Sequence, residues 1–360
     1  MNKMQTRIPL NGTFELTGRC NLSCKMCLVR VDQKRIQELK LRERTADEWI
    51  NMAEQAAQAG TLGLLLTGGE AMLRPDFCEI YEAIAQMGFL LTVYTNATIV
   101  TDKVMDVFRK YPPHKIGVTM YGASNDTYER LCGCADGYDR FVDGVEKLSS
   151  LPSLFETRTT IVKDNRNDLE AMQRFTKEKF GEEKILQISR FVTKSIRGGV
   201  AHAEDCRLTP EENIELVDSG VAELYQKVRR GETCLPEEKE KLRLHWKKDL
   251  HDGEYLFQNC EAGIRQFTIA WDGSMYGCEL MPKGCTKPFD TGFQKAWEDL
   301  PDCYPKSKVI QACTNCKYAP FCEACPAIRQ AETEDFFGIP DYFCGEAKSM
   351  YEMLSYLNVI

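Results

Sequence analysis

At 360 residues, with 43% hydrophobic and 28% charged side chains, the chain is long enough for a barrel-sized domain plus a smaller module. A net charge of −8 argues against a broad nucleic-acid-binding face, no apolar run reaches the length of a membrane span, and the N-terminus lacks a signal-peptide core; the expected setting is the reducing cytoplasm, with neither nucleic acid nor membrane as partner. In that setting 17 Cys beside only 4 His indicate thiolate-rich metal sites, iron–sulfur or zinc, rather than a disulfide framework.

Short apolar runs read as strands at residues 14–17, 62–67, 90–95, 116–120, 157–162 and 185–188, with helical stretches between them. One helix opens at Thr45-Ala46-Asp47-Glu48, where hydroxyl and carboxylate can each satisfy an orphan backbone N–H, and stops near Gly60. Six β/α units with right-handed crossovers predict an α/β fold with a parallel sheet. Six are too few for a closed eight-stranded barrel, so a partial (β/α)6 barrel is expected over residues 8–200. Thr209-Pro210-Glu211-Glu212 opens another capped helix and the charged segment 237–248 continues helical, so residues 201–258 read as a helical bridge. A cysteine-rich module fills residues 259–360. Within it residues 267–276 read as a hairpin around Asp272-Gly273, which draws Cys260 and Cys278 towards each other.

Cys20, Cys24 and Cys27 crowd the loop after the first strand, at the strand end where active sites of parallel β/α folds gather. Three thiolates leave a structural zinc one ligand short unless a distant residue completes it. The same three on a four-iron cubane leave one iron open to a ligand. Downstream, Thr67-Gly68-Gly69-Glu70, Tyr94-Thr95-Asn96 and Thr119-Met120-Tyr121-Gly122 end the second, third and fourth strands in order. The glycines permit close backbone approach and the carboxylate suits an ammonium group.

This Cys-x3-Cys-x2-Cys loop, with the GGE sequence at 68–70, Leu73-Arg74-Pro75-Asp76-Phe77 and the later strand ends, resembles the radical S-adenosylmethionine enzymes. The resemblance implies that Cys20, Cys24 and Cys27 hold a [4Fe-4S] cluster and that its open iron chelates the methionine moiety of S-adenosylmethionine. Reductive cleavage then releases a 5′-deoxyadenosyl radical, which abstracts a hydrogen atom from the substrate. By the same resemblance Gly68, Gly69, Glu70, Asn96, Thr119 and Arg130 contact the cofactor, Thr119 and Arg130 on its carboxylate side. Two positions depart from the pattern. Met26 stands where an aromatic residue usually precedes the third cysteine, and Ala71 where Pro usually follows the GGE sequence.

The last third, with Cys313-x2-Cys316-x5-Cys322-x2-Cys325 and Cys344, resembles the SPASM extension that carries auxiliary clusters. The resemblance implies one [4Fe-4S] cluster at Cys313, Cys316, Cys322 and Cys344, and a second at Cys260, Cys278 and Cys325. Either Cys285 or Cys303 completes the second shell, or one iron stays open for substrate; two residues rather than the usual three separate Cys322 from Cys325. A pair of zinc knuckles is the alternative. Cys78, Cys132 and Cys134 read as core thiols, Cys206 and Cys234 as spare thiols of the bridge, and residues 190–199 as a basic loop that either lines a pocket or is solvated.

Enzymes with this extension mostly act on peptides. The expected activity is oxidative modification of a peptide or protein side chain, such as a crosslink in ribosomal peptide maturation. Formylglycine formation of the anaerobic sulfatase-maturase type, or oxidation or rearrangement of a small molecule such as a sugar alcohol, are the alternatives. By the same resemblance an external flavodoxin- or ferredoxin-like donor is expected to supply electrons. With the first strand near Phe14, no fused leader-binding domain is expected, and a separate leader-binding protein would serve.

Overall fold

The computed structural model describes residues 7–40, 42–214, 216, 236–237, 260–305, 310 and 313–356. The chain divides into two compact units. One runs to Arg207 and includes Glu261–Tyr304; the other comprises Leu208–Cys260 and Pro305–Ile360.

The first unit is built on a parallel sheet. Strands β1 (Asn11–Glu15), β2 (Gly63–Thr67), β3 (Leu90–Thr95), β4 (Lys115–Thr119), β5 (Leu154–Thr160) and β6 (Gln187–Ser189) lie side by side in chain order. Each sits within a few residues of the run that predicted it. The crossovers include α1 (Gln33–Leu39), α2 (Ala46–Gln58), α3 (Phe77–Ala85), α4 (Asp102–Lys110), α5 (Asn125–Cys132), α6 (Gly137–Leu148) and α7 (Leu169–Phe180). Alternation decides the faces: Leu64, Leu66, Leu91, Val93, Ile116 and Val118 are buried under the helix layer, and the residues between them face the other side. The capping box forms as read, with Glu48 N on Thr45 Oγ1 at 3.3 Å and Thr45 N on Glu48 Oε2 at 2.8 Å.

The structure adds two strands. β7 (Gln266–Ile269) pairs parallel with β1, and β8 (Met275–Tyr276) pairs antiparallel with β7, so the sheet runs β6-β5-β4-β3-β2-β1-β7-β8 and stays open at both edges. The hairpin read from sequence is present, with Gly273 in the left-handed region at φ 85°. Its first strand also extends the main sheet, which groups Glu261–Tyr304 with the first unit rather than with the cysteine-rich end expected from residue 259 onward. The reason is packing: Phe267 lies 6.4 Å from Phe14 and 4.9 Å from Phe293, and Phe14 lies 5.0 Å from Trp49. Burying each such ring contributes on the order of 2 kcal/mol.

In the second unit, helix α8 (Pro210–Ile214) packs against helix Asp341–Tyr356, where Asn213 donates to the buried Glu346. The Thr209 capping box forms, with Glu212 N on Thr209 Oγ1 at 3.2 Å. Cys234 and the segment 238–248 lie outside the described residues. No helix among the described residues is long and apolar enough to cross a membrane.

Candidate active site

The cysteine loop is fastened on three sides. On one, Ser23 N donates to Cys132 O at 2.8 Å and Lys25 N to Leu131 O at 3.0 Å, so the C-terminal turn of α5 backs the loop. On the second, Gly69 N donates to Thr17 O at 2.7 Å and Glu70 N to Arg19 O at 2.9 Å. A Cβ at Gly68 would stand 2.4 Å from Thr17 O, and one at Gly69 2.2 Å from Arg19 O; only glycine lets the two segments meet. On the third, Ile196 N and Val200 N donate to Leu28 O and Arg30 O at 2.8 and 3.0 Å, and Ser195 Oγ to Cys27 O at 3.1 Å. The basic loop of residues 190–199 is thus a strap over the cysteine loop. Its Arg197 is buried against Glu15 at 2.5 Å.

Glu70 is 1% exposed. Its carboxylate accepts Met72 N at 3.2 Å, Thr95 Oγ1 at 3.0 Å and Asn96 N at 2.8 Å. Burial pushes its carboxyl up to about 7, against these three hydrogen bonds, which favour the charged form. The carboxylate therefore fixes the turn after β3. The Asn96 side chain then reaches Cys20 Sγ at 3.6 Å and Asn21 Oδ1 at 3.0 Å. The structure thus brings Cys20, Gly68, Gly69, Glu70 and Asn96 together. Thr119 ends β4 on the same edge of the sheet. Arg130 lies exposed on α5, with Nη2 donating to Thr127 Oγ1 at 3.2 Å and Asp164 O at 3.4 Å. Among the described residues no hydrogen bond ties Thr119 or Arg130 to the cysteine loop.

Two further side chains at this site were not among the residues expected from the sequence. Tyr121 lies beside the loop, within electrostatic reach of Cys20, Cys24, Cys27 and Cys132. Asn165, fully buried, donates to Tyr121 O at 3.0 Å and holds that segment. Cys132, read as a core thiol, is fully buried and lies within electrostatic reach of Cys24. Its place beside the loop follows from the left-handed Gly133 that ends α5 there, a tertiary placement that no local spacing encodes.

The donor set fits a cluster. Leu22 N points at Cys20 Sγ at 3.4 Å and Arg30 N at Cys27 Sγ at 3.3 Å, as suits sulfurs that carry charge. Burial raises the Cys20 thiol well above its ordinary value and Cys27 to about 11, so the loop without a cation favours protonated sulfur, and metal binding would release protons. Among the described residues no three Cys, His, Asp or Glu side chains close on one point as a single ion needs. The ligands of a cubane sit on separate irons and stay farther apart. A cleft of about 550 Å³ opens beside the loop, lined by Ser23, Cys24, Lys25, Arg30, Lys163 and Asp164 among others.

In the second unit Cys344 and Cys322 each lie within electrostatic reach of Cys313, Cys316 and Arg329, so the four cysteines share one neighbourhood. Cys325 neighbours Cys260. Cys278, Cys285 and Cys303 belong to the first unit, where Cys303 Sγ meets Cys285 O at 3.5 Å.

Comparison with known proteins agrees with this geometry. Residues 14–176 match the family model of the Radical SAM superfamily. An AdoMet-dependent heme synthase of Methanosarcina barkeri is 24% identical over 344 residues, 92% of this chain and 95% of that protein. A PqqA peptide cyclase of Rhizobium meliloti is 30% identical over 132 residues, 37% of this chain and 34% of the cyclase. The fold matches that of native anSMEcpe with bound AdoMet, at a TM-score of 0.66 and 16% identity over 98% of both chains; that protein has also been solved with a bound Cp18Cys peptide. Such a domain implies S-adenosylmethionine and a [4Fe-4S] cluster. With its three-cysteine loop at the end of β1, braced by the GGE turn and the β3 asparagine, residues 14–176 of the chain form a radical SAM domain.

Proposed function

We propose that the enzyme holds its [4Fe-4S] cluster through Cys20, Cys24 and Cys27 and oxidatively modifies a side chain of a peptide or protein. The observation that carries this reading is the braced loop, with N–H groups aimed at Cys20 and Cys27 and the Asn96 amide at Cys20. When bound, the cluster and S-adenosylmethionine supply an electron and a 5′-deoxyadenosyl radical that takes a hydrogen atom from substrate. The protein's own residues supply position. Gly68 and Gly69 allow the loop its close seat, Glu70 locks the turn bearing Asn96, and Thr119 and Arg130 are assigned to the cofactor's carboxylate side. The neighbouring Cys313, Cys316, Cys322 and Cys344 are assigned to an auxiliary cluster. An external flavodoxin- or ferredoxin-like donor, and a separate protein that presents the peptide's leader, complete the reading. Support for a peptide comes from the peptide bound to anSMEcpe and the activity named for PqqA peptide cyclase. Formylglycine formation belongs to the same class.

A second reading, a small carboxylate-bearing substrate, is favoured by one observation. On the sheet face away from the helices, Arg158 stacks over Tyr94 at 4.1 Å, and among the described residues no carboxylate pairs with it. The heme synthase match along nearly the whole chain points the same way. Mass spectrometry after anaerobic incubation with S-adenosylmethionine and a strong reductant separates the two. The candidates are small peptides encoded beside the gene, a sulfatase-type peptide and iron coproporphyrin III, the porphyrin named for a Methanosarcina barkeri synthase 23% identical to this chain. Loss of two hydrogens from a peptide, matched by 5′-deoxyadenosine, establishes the first reading. A mass change in the porphyrin, matched by 5′-deoxyadenosine, with every peptide unchanged replaces it with the second.

A further inference from the structure

Arg329, on helix Pro326–Thr333, is 0% exposed. Its Nε donates to Ala324 O at 2.8 Å, one Nη to Gly338 O at 2.7 Å and the other to Cys313 Sγ at 3.4 Å. A guanidinium stays charged at any working pH. Buried without a counter-charge it costs several kcal/mol. The two carbonyls satisfy N–H groups but supply only partial charge, and among the described residues no carboxylate reaches Arg329. What does surround it is sulfur: Cys313 in contact, with Cys322 and Cys344 in electrostatic reach. A metal-bound set of thiolates carries the negative charge that this cation lacks.

We infer that Arg329 is a positioning residue for the cluster assigned to Cys313, Cys316, Cys322 and Cys344: it orients Cys313 by an N–H···S bond, neutralises part of the thiolate charge and raises the cluster's reduction potential. This rests on reading those four cysteines as cluster ligands. Hydrogen bonds to cluster sulfurs and local net charge are the levers by which a protein sets such potentials. The cation also stabilises the thiolates against proton-driven loss of iron.

The test is a potentiometric titration, read by electron paramagnetic resonance, of anaerobically purified protein carrying Cys24→Ala, so that the N-terminal cluster is silent. Iron, sulfide and zinc are counted in parallel. Arg329→Met should shift one auxiliary potential negative by at least a tenfold change in equilibrium constant, which is about 59 mV for one electron. It should also speed iron loss to a chelator at least tenfold, and Arg329→Lys should keep most of the potential. After the metal is stripped, Arg329→Met should resist denaturant at least as well as its parent, because the buried cation has then lost its counter-charge. Should Arg329→Met fail to fold, Arg329→Gln, neutral but still a donor, carries the same reading. Full iron with an unmoved potential, or equal destabilisation with and without metal, would overturn the role of Arg329 alone. Zinc in place of auxiliary iron would overturn the cluster assignment with it.

Discussion

The buried Glu70 carboxylate accepts the backbone N–H of Asn96 at 2.8 Å, and the side chain of Asn96 reaches on to Cys20 Sγ at 3.6 Å. One acid at the end of β2 thereby sets the turn at the end of β3 against the loop after β1. This gives the acid a structural task beside any contact with a cofactor. Replacing Glu70 by Ala strands three donors, on Met72, Thr95 and Asn96, in a site closed to water. An unsatisfied buried donor costs about 1–3 kcal/mol. Glu70→Ala should therefore lose about 3 kcal/mol or more of stability and bind iron poorly, and Glu70→Gln, which keeps one acceptor, should lose roughly half as much. Denaturation midpoints and iron content check this; a Glu70→Ala midpoint equal to that of the parent would show that the hydrogen bonds carry no weight.

Cys24 is the most enclosed of the three loop cysteines, at 6% exposure, and lies within electrostatic reach of both Cys132 and Tyr121. Cys24→Ala should abolish 5′-deoxyadenosine production while leaving the auxiliary iron in place. Cys132→Ala should retain the N-terminal cluster, since the donor set is complete without it. Product assay and iron counts distinguish the two. Undiminished 5′-deoxyadenosine from Cys24→Ala would remove this cysteine from the ligand set.

Much of this site was legible in the sequence because it is local. Cys20, Cys24 and Cys27 share one loop, Gly68 and Gly69 mark a close approach, and the β1–β5 periodicity is carried by buried residues spaced two apart. What the sequence hid is long-range. Residues 266–269 form a four-residue strand whose apolar pattern says nothing about which edge it joins; its docking on β1 depends on Phe14, Phe267 and Phe293 meeting across the fold. Arg197 read as one cation in a basic loop, yet it pairs with Glu15, 182 positions away, inside the protein. Tyr121 lies within the strand-end sequence Thr119-Met120-Tyr121-Gly122, yet nothing local shows which way its ring points.

The Glu15–Arg197 pair makes stability depend on pH. Both side chains are buried, at 6% and 4% exposure. Burial, with Glu279 and Asp272 nearby, raises the Glu15 carboxyl to about 7 although Arg197 opposes the shift. An unfolded glutamate titrates near 4.3. Between about 4.3 and 7 the folded state therefore holds a proton that the unfolded state has released, so the contribution of Glu15 is fully present below this window and is lost as pH rises through it, by on the order of 3 kcal/mol. Glu15→Gln should lack that slope. Arg197→Met should cost about 3–5 kcal/mol at pH 8, where it leaves a buried carboxylate unpaired, and clearly less at pH 5. Denaturation curves at four or five pH values test both, and parallel pH profiles for parent and Glu15→Gln would refute the assignment.

Arg158 offers a test of substrate charge. It pairs in register with Thr119 across β4 and β5, and its guanidinium lies over the Tyr94 ring. That ring can lie flat only because its neighbour in register is Gly117, where a Cβ would stand 2.4 Å from the ring. The stack holds the cation in place without neutralising it, leaving its N–H fork for a carboxylate or another anionic group. Loss of such a charge-assisted contact costs about 1.5–3 kcal/mol, or roughly ten- to hundredfold in affinity. Arg158→Gln should therefore raise the KM for an anionic substrate by about that factor. Slow 5′-deoxyadenosine formation without substrate, and the KM for S-adenosylmethionine, should stay at the parent's values. Gly117→Ala should mimic part of the effect by tilting Tyr94 from beneath the cation. If instead Arg158→Gln weakens S-adenosylmethionine and spares the substrate, the cation serves the methionine carboxylate, and the charge of the substrate must be read from another part of the sheet.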